Sequence, residues 1–172
     1  DVIFAYRAAK AFGVSDKDCE KGVESFLGIE HRMEKVGTFK GVTFYNDCIA
    51  TIPHAVECAV EALKNVDTLI FGGKDRGIDY SEFCDYLEKC SVKNLIGTPE
   101  TGHKIIDKLS KEACLKQLVK AADLEEAVKE AYKLTAEGKI CLLSPAASSY
   151  NVYKNFEEKG RHYKELIKKY GE

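Results

Sequence analysis

The sequence predicts an α/β, Rossmann-like three-layer sandwich: a mostly parallel sheet of about six strands with one antiparallel strand, and helices on both faces. Three observations carry that prediction. Short β-prone runs alternate strictly with helical stretches of about 10 to 20 residues, the pattern of parallel βαβ units. Three of those runs end in small, polar or glycine-rich segments, which in such sheets lie where ligands collect, beyond the carboxyl ends of the strands. The 172 residues, 45% hydrophobic and 31% charged, suffice for one complete core and fit neither a coiled coil, a collagen nor a disordered chain.

In chain order, Val2, Phe4, Ala5, Ala8, Ala9 and Phe12 recur at helical spacing from Asp1 to Gly13, and Ser15-Asp16-Lys17-Asp18 suits the cap of a second short helix ending near Gly28. The chain opens inside the first helix with neither Met nor a cap, so residues 1–29 are expected to be the end of a preceding domain. Val36–Phe39 and Val42–Tyr45 flank Lys40-Gly41 as a hairpin. Pro53–Leu63 then reads as a helix, Asp67–Phe71 as a buried strand, Tyr80–Lys89 as a helix and Val92–Ile96 as a strand. Glu100–Leu109 follows as a helix and Cys114–Val119 as a weaker strand. Leu124, Ala127, Val128, Ala131 and Leu134 mark one face of a helix, Ile140–Leu143 a strand, and Tyr150–Tyr170 a long last helix whose apolar residues serve as core.

Charge and composition narrow the partners. Twenty-six Lys and Arg against 28 Asp and Glu leave a net charge of −2, so no global field favours nucleic acid or an anionic membrane, and anion binding must be local. No apolar run reaches the ~20 residues of a membrane span, and no secretory signal opens the chain; a cytoplasmic protein is expected. The seven cysteines are odd in number and lack a C-x-x-C pair, which suits reduced thiols. His31, His54, His103 and His162 are scattered without metal-ligand spacing, so no metal site is expected within the chain. Cys48 lies near a helix start that could lower its pKa, but no base partner is evident.

The three strand-end segments are the candidate chemistry. Tyr45–Pro53 delivers Asn46, Asp47 and Thr51 before Pro53 opens a helix, whose free N–H groups favour a carboxylate or phosphate. Phe71–Gly77 combines three glycines with Lys74 and Arg76, and a guanidinium can donate two parallel hydrogen bonds to a carboxylate. Leu142–Tyr150 is built of small residues and offers the Ser149 hydroxyl. Each segment alone could equally be a turn or a helix cap. Their coincidence at one sheet edge points to a small ligand with separated negative groups. None matches G-x-G-x-x-G, a P-loop or a G-x-S-x-G elbow.

Taken together, His31-Arg32-Met33-Glu34, Tyr45-Asn46-Asp47 with Ala50-Thr51, Gly72-Gly73 with Asp75-Arg76-Gly77, and Leu143-Ser144-Pro145-Ala146 through Lys154-Asn155-Phe156-Glu157-x-x-Gly160 resemble the C-terminal domain of the Mur ligases, most nearly those that add glutamate. The resemblance implies that residues 1–29 are terminal helices of a central ATPase domain and residues 30–172 an amino-acid-binding domain. It implies a reaction in which ATP phosphorylates the carboxylate of UDP-N-acetylmuramoyl-L-alanine and the amine of D-glutamate attacks the acyl phosphate, in peptidoglycan synthesis. By the same resemblance Arg32, Asn46 and Asp47 face the nucleotide, Thr51 and Arg76 take the amino acid's α-carboxylate, and Ser149 with the backbone of Phe156 takes its side-chain carboxylate. His31 and Lys74 are further candidates. No catalytic residue is assigned within the chain, and magnesium is implied to sit mainly in the domain that holds ATP. With no P-loop here, the chain alone is expected not to turn over. It departs from the commonest pattern at Cys48-Ile49, where Ser-Lys usually follows Asn-Asp; addition of L-glutamate or another amino acid is the alternative within the family. A non-catalytic Rossmann-like nucleotide-binding or interaction module is the alternative outside it.

Overall fold

The computed structural model describes residues 2–111 and 114–172; Asp1, with which the first expected helix opens, lies outside them. The chain begins with two helices, α1 (Val2–Ala11) and α2 (Asp16–Glu24), the second capped by Ser15, which accepts from the Asp18 N–H. The hairpin β1 (Glu34–Phe39) and β2 (Val42–Asn46) follows, closed by Lys40 and Gly41, both at positive φ. That two-residue turn has the twist that joins antiparallel strands without splaying them. Next come α3 (Pro53–Leu63), β3 (Val66–Phe71), α4 (Ser81–Lys89), β4 (Asn94–Gly97), α5 (Thr101–Lys111) and β5 (Gln117–Lys120). Helix α6 (Leu124–Leu134), β6 (Ile140–Leu143) and α7 (Phe156–Gly171) complete the chain.

The six strands form one sheet in the order β1-β2-β6-β3-β4-β5, antiparallel between β1 and β2 and parallel elsewhere. Strand β3 is buried along its whole length, as a central strand covered on both faces must be; its two polar residues, Asp67 and Thr68, lie toward its amino end, where the Asn94 amide bonds both, and Leu69–Phe71 is apolar. Successive strand residues alternate between two cores. Leu69, Phe71, Leu95 and Leu142 pack with α3, α4 and α5, whereas Ile70, Ile96, Cys141 and Leu143 pack with α6 and α7. Cys48, Cys84 and Cys141 are buried, and none of the seven cysteines forms a disulfide with a described residue.

Several boundaries differ from the sequence reading: α2 ends at Glu24 and not near Gly28, β5 starts at Gln117 and not Cys114, and two further shifts have local reasons. The last helix starts at Phe156, not Tyr150. Asn155 caps it by accepting from the Glu158 N–H at 2.8 Å, and the Glu158 carboxylate takes the Lys154 N–H at 2.6 Å. This reciprocal cap fixes the start and leaves residues 150–155 as turns. The strand expected at Val92–Ile96 begins at Asn94, whose amide bonds the Asp67 carboxylate and the Thr68 hydroxyl at the sheet's amino edge.

Candidate functional site

The strand order brings the three candidate segments together. Strands β2, β6 and β3 are immediate neighbours and parallel, so the loops after Asn46, Leu143 and Phe71 leave the sheet side by side at its carboxyl edge. Hydrogen bonds stitch them. The Asp47 N–H donates to the Leu143 carbonyl (2.8 Å), the Gly72 N–H to the Pro145 carbonyl (2.8 Å) and the Lys74 N–H to the Ser148 carbonyl (2.7 Å). The Ser144 hydroxyl donates to Asp47 Oδ2 at 2.7 Å.

On the β2 side, Asp47 is buried, and its second oxygen accepts from the Met33 N–H at 3.1 Å. Burial pushes its carboxyl above the ordinary range, against the two hydrogen bonds and the nearby Arg32. Asp47, Arg32, Met33 and Ile49 line a cavity of about 310 Å³ whose far wall is the alanine-rich face of α3. A carboxylate with spare lone pairs, an exposed guanidinium and an apolar wall are chemically compatible with a sugar hydroxyl, a phosphate and a flat ring.

Asn46 links this cavity to the interior. Its Oδ1 accepts from the Cys48 N–H, which turns its amide toward Glu34 Oε2 (3.0 Å) and His31 Nδ1 (2.9 Å). His31 therefore accepts at Nδ1 and carries its proton on Nε2, a buried atom without a hydrogen-bond partner, 3.5 Å from a Glu30 oxygen. Burial lowers the His31 pKa, against Glu30 and Glu34, which favours the neutral ring. Glu30, His31 and Glu34 form the one acid–histidine cluster with metal-like spacing among the described residues. They do not fit a metal ion. The Lys164 ammonium lies against both carboxylates, at 2.6 and 2.9 Å, where a cation would sit, and the unbonded His31 nitrogen bears a proton.

The remaining candidates lie around the other two loops. Thr51 is half-buried just before α3 and does not cap it; the cap position belongs to Ile52, with no side-chain bond. Lys74 and Arg76 are exposed, and neither forms a salt bridge with a described residue. Ser149 is 3% exposed, and its hydroxyl is one of two buried side-chain polar atoms left unpartnered among the described residues. Neither Ser148 nor Ser149 caps the last helix. A buried hydroxyl without a partner costs free energy unless something else satisfies it. Phe156 opens α7 with its ring against His31, centroids 5.9 Å apart. Cys48 is corrected: it is fully buried, and burial pushes its thiol up to about 12, the opposite of activation.

Sequence reasoning had missed three participants. Ser144 anchors Asp47, Glu34 holds Asn46, and Lys159 is buried on α7 with its ammonium on the Gly72 carbonyl. For Lys159 a signal existed: Phe156, Lys159, Tyr163 and Leu166 recur at helical spacing, which puts a lysine on the apolar face.

The sequence profile of the Mur ligase, glutamate ligase domain family matches residues 31–147. The chain belongs to that family. Curated Mur ligase relatives match nearly all of it: UDP-N-acetylmuramoylalanine–D-glutamate ligases of Oenococcus oeni (39% identical over 168 residues, 98% of this chain and 38% of the relative) and Desulfitobacterium hafniense (34% over 170 residues, 99% and 37%). The chain thus spans little more than a third of these relatives' length. The fold is that of MurC from Thermotoga maritima (TM-score 0.66, 16% identity, 98% of this chain and 37% of that one). It is also that of MurF from the same organism in complex with ADP (TM-score 0.62, 18% identity, 95% and 36%). A folylpolyglutamate synthase/dihydrofolate synthase from Yersinia pestis shares it too (TM-score 0.62, 16% identity, 89% and 34%). No helix among the described residues is long and apolar enough to cross a membrane.

Proposed function

We propose that the chain is the amino-acid-binding domain of an ATP-dependent ligase that joins D-glutamate to UDP-N-acetylmuramoyl-L-alanine in the cytoplasm, through an acyl phosphate, in peptidoglycan synthesis. The observation that carries the reading is the convergence of three polar loops on adjacent strand ends, in a chain whose relatives are D-glutamate ligases. Glutamate has two carboxylates and needs two anion subsites. Arg76, uncompensated by any described acid, and Thr51 bind the α-carboxylate; the unpartnered Ser149 hydroxyl and the Phe156 backbone bind the side-chain carboxylate. Lys74 adds positive charge at the rim.

On the nucleotide side, Arg32 meets the phosphates and Asp47 accepts from the ribose hydroxyls, while Asn46, steadied by His31 and Glu34, shapes the cavity wall. ATP supplies the phosphoryl group that activates the acceptor carboxylate. Residues 2–29 belong to the preceding ATPase domain, and magnesium is held mainly there. The chain's own contribution is to hold the glutamate amine where a separately bound acyl phosphate can meet it, which converts a bimolecular step into an oriented one.

The test is steady-state kinetics of the complete ligase. Arg76→Ala and Ser149→Ala each remove a contact to a carboxylate, worth on the order of 1.5 to 3 kcal/mol, and so raise the KM for glutamate roughly ten- to a hundredfold. Unchanged glutamate kinetics in both variants would refute the site. A panel of D- and L-amino acids decides the stereochemistry, on which Ile49 in place of a lysine bears directly.

A further inference from the structure

We propose that Lys159 is a positioning residue: by pinning the Gly72–Gly73 peptide to α7 it sets the spacing between the two carboxylate subsites, and so the length of dicarboxylic amino acid accepted. The proposal rests on the glutamate-site reading above.

Lys159 is the only lysine or arginine buried among the described residues, at 3% exposure. Its ammonium donates to the Gly72 carbonyl at 3.0 Å and forms no salt bridge with a described residue. Asp123, which lines the same small cavity of about 50 Å³, accepts from the Glu126 N–H as the cap of α6. A buried cation resting on a neutral carbonyl is a poor device for stability, because desolvation of the charge is met by no opposite charge. A methionine of similar length would pack there at less cost. What the ammonium does supply is a directed bond.

The Gly72–Gly73 peptide is where a directed bond matters. Gly72 has φ 119°, a conformation open to glycine, and a Cβ there would collide with the Thr98 carbonyl oxygen. A Cβ on Gly73 would collide with the Ser148 carbonyl oxygen. The backbone thus threads a slot between residues 98–102 and 145–148, with no side chain of its own to fix its orientation. Instead the peptide plane is held at both poles: its carbonyl by Lys159, its Gly73 N–H by the Thr101 hydroxyl at 3.1 Å. Lys74 and Arg76 follow directly. Lys159 itself lies one helical turn from Phe156. One side chain therefore ties the loop carrying Arg76 to the helix that carries the opposite subsite.

Removing the tie leaves the peptide held at its Gly73 N–H alone, which lets Arg76 shift relative to Ser149 and Phe156 while leaving untouched the nucleotide cavity, walled by α3 on the opposite face of the sheet. In the complete ligase, Lys159→Met is expected to raise the KM for glutamate about tenfold, to leave the KM for ATP within about twofold, and to narrow the kcat/KM preference for glutamate over aspartate. Lys159→Arg, which still donates to the carbonyl, restores both glutamate KM and selectivity. Should Lys159→Met fail to fold, Lys159→Gln, a shorter and uncharged side chain with two N–H donors in place of three, carries the same comparison. A variant with wild-type glutamate KM and selectivity overturns the proposal. So does one that raises both KM values alike or lowers kcat alone, since that is general damage. Arg76→Ala, measured alongside, separates the two readings: a raised glutamate KM there with an unaffected Lys159 variant sinks only the positioning role, whereas an unaffected Arg76→Ala sinks the glutamate site beneath it.

Discussion

Asp47 shows how one buried side chain at the sheet edge carries both structure and chemistry. Its two oxygens hold Met33 and Ser144, which brings the segment before β1 and the loop after β6 against the end of β2. Burial raises its pKa from the ordinary 3.8, so the native state binds a proton there more readily than the unfolded chain does. Its contribution to stability is then complete below pH 3.8 and fades as pH rises through the elevated native value. Asp47→Asn, which can still accept from Met33 and donate to Ser144, removes this dependence. Urea unfolding of the two forms between pH 3.5 and 7 checks it: wild type loses stability relative to the variant as pH rises from the ordinary value through the elevated native one. Gly160 is set by the same neighbourhood, since a Cβ there would lie 2.9 Å from the Asn46 amide and overlap the His31 ring, so α7 can seat on that pair only through glycine.

Among the elements, β6 has the most consequence for the site, because it lies between β2 and β3 and sends Ser144–Ser149 out between their loops. Leu142 in its middle is fully buried, whereas Leu118 on the edge strand β5 is half-buried. Leu142→Ala should cost about 2 to 5 kcal/mol and Leu118→Ala under about 2, measured by urea unfolding, with the larger loss felt at the site. Legibility followed the strength of local signals. Helix α3 was readable at both ends, because Pro53 suits its first turn and the apolar spacing runs out at Leu63. The start of α7 was misread, because Tyr150 and Tyr153 continue an apolar rhythm that the Asn155–Glu158 cap interrupts. The likeness of Cys48 to a helix-start thiol failed for another reason: burial outweighs any helix dipole there.

For the whole molecule, the sheet and its two cores stand without the first two helices. Neither α1 nor α2 contains a buried residue, and they leave Phe12 90% and Leu27 100% exposed. Deleting residues 2–28 should therefore shift the stability of the sheet domain by less than ~1 kcal/mol in urea unfolding. A larger loss would make those helices part of the sheet domain and overturn the proposed boundary. The sequence by itself determined the alternating elements, the buried central strands, and the loops rich in anion-binding groups, because each depends on residues near one another in the chain. Only the tertiary structure decided that β6 inserts between β2 and β3, that Ser149 is left buried without a partner, and that Lys159 reaches the Gly72 carbonyl. Those outcomes depend on strand order and on contacts between residues as many as 97 positions apart, which no local pattern encodes.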